Sequence, residues 1–337
     1  MAWSPWSMRF LTLLVLLVTA NPLPVATAND GAPLSKISPS NVSELAVLSE
    51  IEEDIFEVTW HREGREIAFV RWEQPIQIRD GSSFKLLSTI EDDRRVIHFA
   101  FASDLDMFAY CENSQAVRLV SVNTKDAIIL ETGSPQPFME FSPDGQFLAT
   151  GGYGNDAKVW SVRDGHLIHS LNIGGVSGGL LATFSPDSRR LAVGNRNSTT
   201  SIFDIATGEM LVSLPKSSSH RLRFDPTGQR LAVAYVDGSI VIWDGTSGEQ
   251  LVAKKTKADE LYNVDWSPDG GLLVTSGLKG AITLWNPEDL SLIRELEAPE
   301  WVIQSRFSPD GTRLLTAGGT VLPSDARKVR IWGIPGR

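Results

Sequence analysis

Apolar and polar positions along this chain repeat with a period near 41 residues. The clearest marker is FSPDG, at 141–145 and again at 307–311. Close variants stand at 184–188 (FSPDS), 224–228 (FDPTG) and 266–270 (WSPDG), and two degenerate copies precede them at 60–64 (WHREG) and 101–105 (FASDL). The leading aromatics are Trp60, Phe101, Phe141, Phe184, Phe224, Trp266 and Phe307, spaced by 41, 40, 43, 40, 42 and 41 residues. Each copy predicts the same local structure. The aromatic ends one strand on its core face, and Pro and Asp-Gly then make a tight turn, because Pro presets φ and Gly accepts positive φ. Seven residues after the aromatic stand Ile67, Phe108, Leu148, Leu191, Leu231, Leu273 and Leu314, and one further on Ala68, Ala109, Ala149, Ala192, Ala232, Val274 and Leu315. Two consecutive apolar columns predict a second strand covered on both faces.

A third strand alternates, as in Ser239–Trp243 and Ala281–Trp285, and ends at Trp160, Phe203, Trp243, Trp285 or Trp332. A turn and a shorter fourth strand lead to the next copy. Four strands in about 41 residues, repeated seven times, predict an all-β fold: a seven-bladed β-propeller of four-stranded antiparallel blades. The third-strand ends add a family likeness. Trp243-Asp244 with the following Ser247-Gly248-Glu249, near versions at Trp285-Asn286 and Phe203-Asp204, and the FSPDG turns together resemble the WD-repeat family over about residues 41–337. The likeness is strong in copies three to seven and weak in the first two. One departure stands out: the family's Gly-His, about ten residues before the aromatic, is absent from every copy.

The chain ends just after the third strand of copy seven, which therefore lacks its fourth. In copies one, three, four and six the Trp-Asp position and the last apolar residue of the fourth strand are ten apart, and so are Asn41 and Ile51. The N-terminal strand, about Leu45 to Ile51, is thus expected to pair beside Val329–Trp332 and complete the last blade, which removes an exposed sheet edge.

Residues 1–28 read as a cleavable signal peptide. Arg9 precedes the apolar run Phe10–Ala20, and Ala26-Thr27-Ala28 is a small-x-small cleavage signal. The run is shorter than a bilayer-spanning helix needs. The expected organisation is a signal peptide (1–28), an N-terminal lead-in (29–44) and the propeller (45–337). It implies a secreted or periplasmic protein, cut after Ala28 and not inserted in a membrane.

Composition narrows the function further. A formal net charge of -10 argues against nucleic acid as a partner. The lone Cys111 can form neither an internal disulfide nor a thiolate metal site by itself. Its column elsewhere holds Gly151, Gly194, Ala234, Ser276 and Ala317, so it is expected to fill a tight slot between blades. There is no P-loop, no Gly-x-Ser-x-Gly and no His-Glu-x-x-His. No cofactor, metal site or catalytic residue is predicted, and the chain is not expected to be an enzyme.

The family resemblance implies that loops between blades, and between second and third strands, gather on one face around the channel, where function concentrates. Six residues before the aromatic this inner rim includes Asp54, Arg95, Glu260 and Trp301; twelve after it, the other loops include Trp72, Tyr153 and Arg196. Six of the eight tryptophans after the signal peptide sit at repeat anchors, and Trp72 and Trp301 do not. Aromatics and Arg dominate interface hot spots. These seven residues form a candidate partner-binding face, and Thr320–Arg327 is a second candidate contact. The chain reads as a non-catalytic scaffold for an unidentified protein or peptide, acting outside the cytoplasm as a monomer or within a larger complex. The alternative is a propeller hydrolase or lactonase with a channel metal. The rim column offers that alternative only two carboxylates, Asp54 and Glu260.

Overall fold

The computed structural model describes residues 34–335 except 54, 56, 62–63, 72–73, 91–97, 103–106, 112–115, 122–123, 125, 134–137, 153–155, 175–179, 279–280, 299–300 and 320–326. The stretch read as a signal peptide (1–28) and residues 320–326 of the loop candidate Thr320–Arg327 fall outside the described residues.

Seven four-stranded antiparallel sheets form the fold. Blade 5 shows the pattern: Ser219–Phe224, Arg230–Tyr235, Ser239–Asp244 and Gln250–Lys255 pair in chain order. The first strand of each blade lines the channel. The fourth lies outermost and carries exposed apolar residues such as Leu87, Ile129, Leu167, Leu211, Leu251 and Leu292.

Burial follows the two apolar columns closely: all fourteen residues from Ile67 to Leu315 are at most 2% exposed. They sit in second strands, whose two faces meet different neighbours, so neither face is polar. The core is divided into seven clusters, each built across a blade junction. One joins Ala192, Ile202 and Leu214 of blade 4 to Leu222, Phe224 and Trp243 of blade 5. Cys111 is buried beside Ala100, Val117 and Trp160 in another.

The FSPDG turns close on themselves. Ser267 Oγ donates to Asp269 Oδ1 at 2.6 Å and accepts from the Leu272 amide at 2.9 Å. Ser142, Ser185 and Ser308 repeat both bonds with their own aspartates and following strands. The Ser267 hydroxyl is also what chiefly holds the Asp269 carboxyl below the ordinary range. Where the Gly-His element is missing, threonines anchor the third-strand tryptophans: the indole N–H groups of Trp160, Trp285 and Trp332 donate to Thr150, Thr275 and Thr316 at 2.8–3.0 Å.

The ring closes as the spacing predicted. Ala46–Glu53 pairs antiparallel with Arg327–Gly333, with Val47 opposite Trp332 and Ile51 opposite Val329. Residues ahead of this strand contribute as well. Ile37, Val42 and Leu45 are buried among blade 6 and blade 7 residues, and Ser35 bridges Ile334.

Candidate functional site

Strand alternation places the residues one and three before each aromatic on the channel side. Near the start of the first strand that alternation breaks, at the same place in three consecutive blades. Ser219 and Arg221 pair with Tyr235 and Ala234, Leu261 and Asn263 with Gly277 and Ser276, and Val302 and Gln304 with Gly318 and Ala317. His220, Tyr262 and Ile303 are therefore the extra residues of three β-bulges. A bulge re-aims its side chain. Glycine opposite the bulge makes it possible in blades 6 and 7, since a Cβ on Gly277 would overlap the Glu260 carbonyl oxygen and one on Gly318 that of Trp301.

A continuous polar and aromatic rim across blades 4 to 7 results. Arg196, in the loop between Arg190–Asn195 and Ser198–Asp204, donates to Glu260 Oε1 at 3.0 Å. His220 Nε2 lies 3.0 Å from the same oxygen and is also in contact with the Arg196 guanidinium. Burial, and then the Arg196 charge, hold the His220 imidazole down to about 4, so it is neutral at physiological pH. The Tyr262 hydroxyl donates to Glu260 Oε2 at 3.3 Å, and burial with the Glu260 charge raises its pKa. The rings then continue outward: His220 meets Tyr262 edge-on at 4.9 Å, and Tyr262 meets Trp301 at 6.3 Å.

Of the seven residues read from sequence, Arg196, Glu260 and Trp301 are described, and they converge on this rim. Asp54, Trp72, Arg95 and Tyr153 lie outside the described residues. The rim column missed His220 and Tyr262, which stand four residues before their aromatics rather than six. No local signal marks a bulge when the residues around it are ordinary strand formers.

Looking only six residues before the aromatic also missed the channel. Its wall carries Glu57, Glu140 and Asp265, so the channel holds more carboxylates than that column suggested. Three arginines interleave them. Arg223 bonds Glu140 at 2.8 Å and lies 3.7 Å from Asp265, while Arg221 and Arg306 line the same space. Burial raises the pKa of Asp265 against the opposing pull of Arg223 and Arg306. Among the described residues no three His, Cys, Asp or Glu side chains gather as a metal set, and no helix is long and apolar enough to cross a membrane.

Comparison with known families agrees with this architecture. Residues 138–161, covering the first three strands of blade 3, match the family model "WD domain, G-beta repeat". Residues 180–278, from blade 4 into blade 6, match that of "Eukaryotic translation initiation factor eIF2A". No curated protein matches the chain.

Proposed function

This chain is a WD-repeat β-propeller, and we propose that it is a non-catalytic platform whose blade 4–7 rim docks a protein or peptide outside the cytoplasm. A propeller of this type fits a non-catalytic binding role. The observation that carries the reading is the run Arg196–Glu260–His220–Tyr262–Trp301, which joins four blades on one face. Tyr, Trp and Arg are the side chains that most often supply interface energy, because they bury large area at low entropy cost. Here Glu260 already positions the polar ends of Arg196 and Tyr262. A partner would therefore meet a preorganised surface, which lowers the ordering cost of binding.

The test is affinity capture from the exported fraction with the wild-type chain and with Trp301→Ala and Tyr262→Ala. A partner retained by wild type and lost from both variants, at unchanged melting temperature, is the expected result. Equal recovery by all three proteins would reject the rim.

Action outside the cytoplasm rests on the apolar run Phe10–Ala20 and the Ala26-Thr27-Ala28 signal. N-terminal sequencing of the mature protein should begin at Asn29. A chain that keeps Met1 would refute export by this route.

A further inference from the structure

The channel contains two arginines that feel the charges of Glu57 and Glu140 but form no ion pair with any described residue. Arg223 is spent on Glu140 and Asp265. Arg221, half-buried, lines the same space of about 210 Å³, yet its guanidinium forms no hydrogen bond or ion pair with any described residue, and its Nε is shut off from solvent. Arg306 has only a 3.4 Å contact from Nη1 to Thr59 Oγ1, and its Nε is likewise buried without a partner. Buried donors left unpaired are costly, and charged ones more so. A folded chain keeps such groups where something else completes them.

We propose that the channel binds a small oxyanion, of carboxylate or phosphate chemistry, between Arg221 and Arg306. The planar guanidinium fork matches such groups in charge and in shape. The space lies below the ~300 Å³ at which pockets for drug-sized ligands begin, so the ligand is a small anion. A second cavity of about 400 Å³ shares Arg223, Arg306 and Glu140 with the first and gives a route toward the turn end of the channel. Glu57, which faces the same space, is the counter-charge nearest in role. It forms no ion pair with either arginine among the described residues, and burial raises its pKa against the opposing pull of Arg306 and Arg221. His98, also on this wall, is held down to about 4 by burial and so brings no charge at neutral pH. Arg221 is itself pulled down to about 9, first by burial and then by Arg223 and Arg306, against the opposing pull of Glu140 and Glu57. The site is separate from the rim and does not depend on the partner reading.

Calorimetric and thermal-shift titrations at constant ionic strength would test it, using inorganic phosphate, succinate and citrate as probes against chloride. Saturable binding of phosphate or a carboxylate is expected, with affinity about tenfold weaker or worse in Arg221→Gln and in Arg306→Gln. Arg196→Gln at the rim should bind as wild type does. Phosphate alone binding would identify a tetrahedral ligand, and carboxylates alone a planar one. Because Arg221 holds no described residue in place, Arg221→Gln should fold, with a melting temperature in chloride at or above that of wild type. The proposal is overturned if no probe saturates in the millimolar range, or if Arg221→Gln and Arg306→Gln both bind as wild type does.

Discussion

The two ends of each inner strand obey different rules. At the turn end, Ser142, Ser185, Ser267 and Ser308 make the same pair of bonds in four blades, and nearly every donor is satisfied within its own turn. At the rim end blades 5, 6 and 7 share a bulge but not the side chains it presents, and along the channel wall they differ again. Blade 5 offers His220, Arg221 and Arg223, blade 6 Glu260, Tyr262 and Asp265, and blade 7 Trp301 and Arg306. Repetition marks what every blade needs to stand up. Departure from it marks what only the ring as a whole can use, and there side chains reach across blades or remain unspent.

Five perturbations would break or sharpen that contrast. The largest effect belongs to ring closure. Deleting residues 46–53 removes buried Val47 and Leu48 and bares the edge of Arg327–Gly333. At ~2–5 kcal/mol for a buried aliphatic side chain, and roughly 2–4 °C per kcal/mol in a chain of this size, the melting temperature should drop by more than about 10 °C. An unchanged scanning-calorimetry trace would remove the closing strand from the account.

Next in size are the turn end and the glycine behind the rim. Ser267→Ala strands the buried Leu272 amide, at a cost of about 1–3 kcal/mol. Gly277→Ala forces a Cβ against the Glu260 carbonyl, with overpacking of about 1–3 kcal/mol. Urea denaturation should show similar losses for both, but only Gly277→Ala should also weaken partner capture. If Ser267→Ala weakens capture equally, the two ends are not functionally distinct.

A pH-dependent loss follows from His98. Burial holds it down to about 4, against an ordinary 6.5 that the unfolded chain recovers. Below 6.5 the unfolded state therefore binds the proton first. The stability is complete above that pH and is lost as pH falls toward 4, by something on the order of 1–3 kcal/mol. Replacing this imidazole, as in His98→Gln, should make the fall in urea midpoint between pH 7 and 4.5 shallower, with His220, also held down to about 4, keeping its share. Parallel profiles for variant and wild type would assign the acid loss to other groups.

The smallest effect on stability is expected at the rim itself. Glu260→Ala removes a partly exposed acceptor of Arg196 and Tyr262, and such surface changes usually stay within about 0.5 kcal/mol. Partner capture should nevertheless fall, because the carboxylate orients both groups. A large drop in melting temperature would recast the cluster as structural.

Much of the fold is legible in the chain because the repeat states it seven times. The aromatic spacing gives the blades, the paired apolar columns give the doubly covered second strand, and the ten-residue interval from Asn41 to Ile51 gives the closing strand. These are one-dimensional regularities, and burial of a periodic pattern admits few alternatives. Glu260, Trp301 and Arg196 were legible as rim positions by simple counting from the aromatic.

Counting fails where the register changes. A bulge adds one residue to one strand only, so His220 and Tyr262 arrive at the rim through pairing with Tyr235, Ala234, Gly277 and Ser276, residues 14 or 15 positions downstream. The contact of Arg196 with Glu260 spans 64 residues and two blade junctions, and no local pattern encodes it. The same holds for the channel. Arg221-Leu222-Arg223 reads as an ordinary alternating strand, and nothing in those three residues says that Arg223 will find Glu140 83 residues earlier while Arg221 finds no described partner. By itself, the sequence determined the number of blades, their strands and how the ring shuts, because local period and burial suffice for that. Only the tertiary structure decided which charges meet across the ring and which are left open, because closing the ring brings together side chains that no period relates.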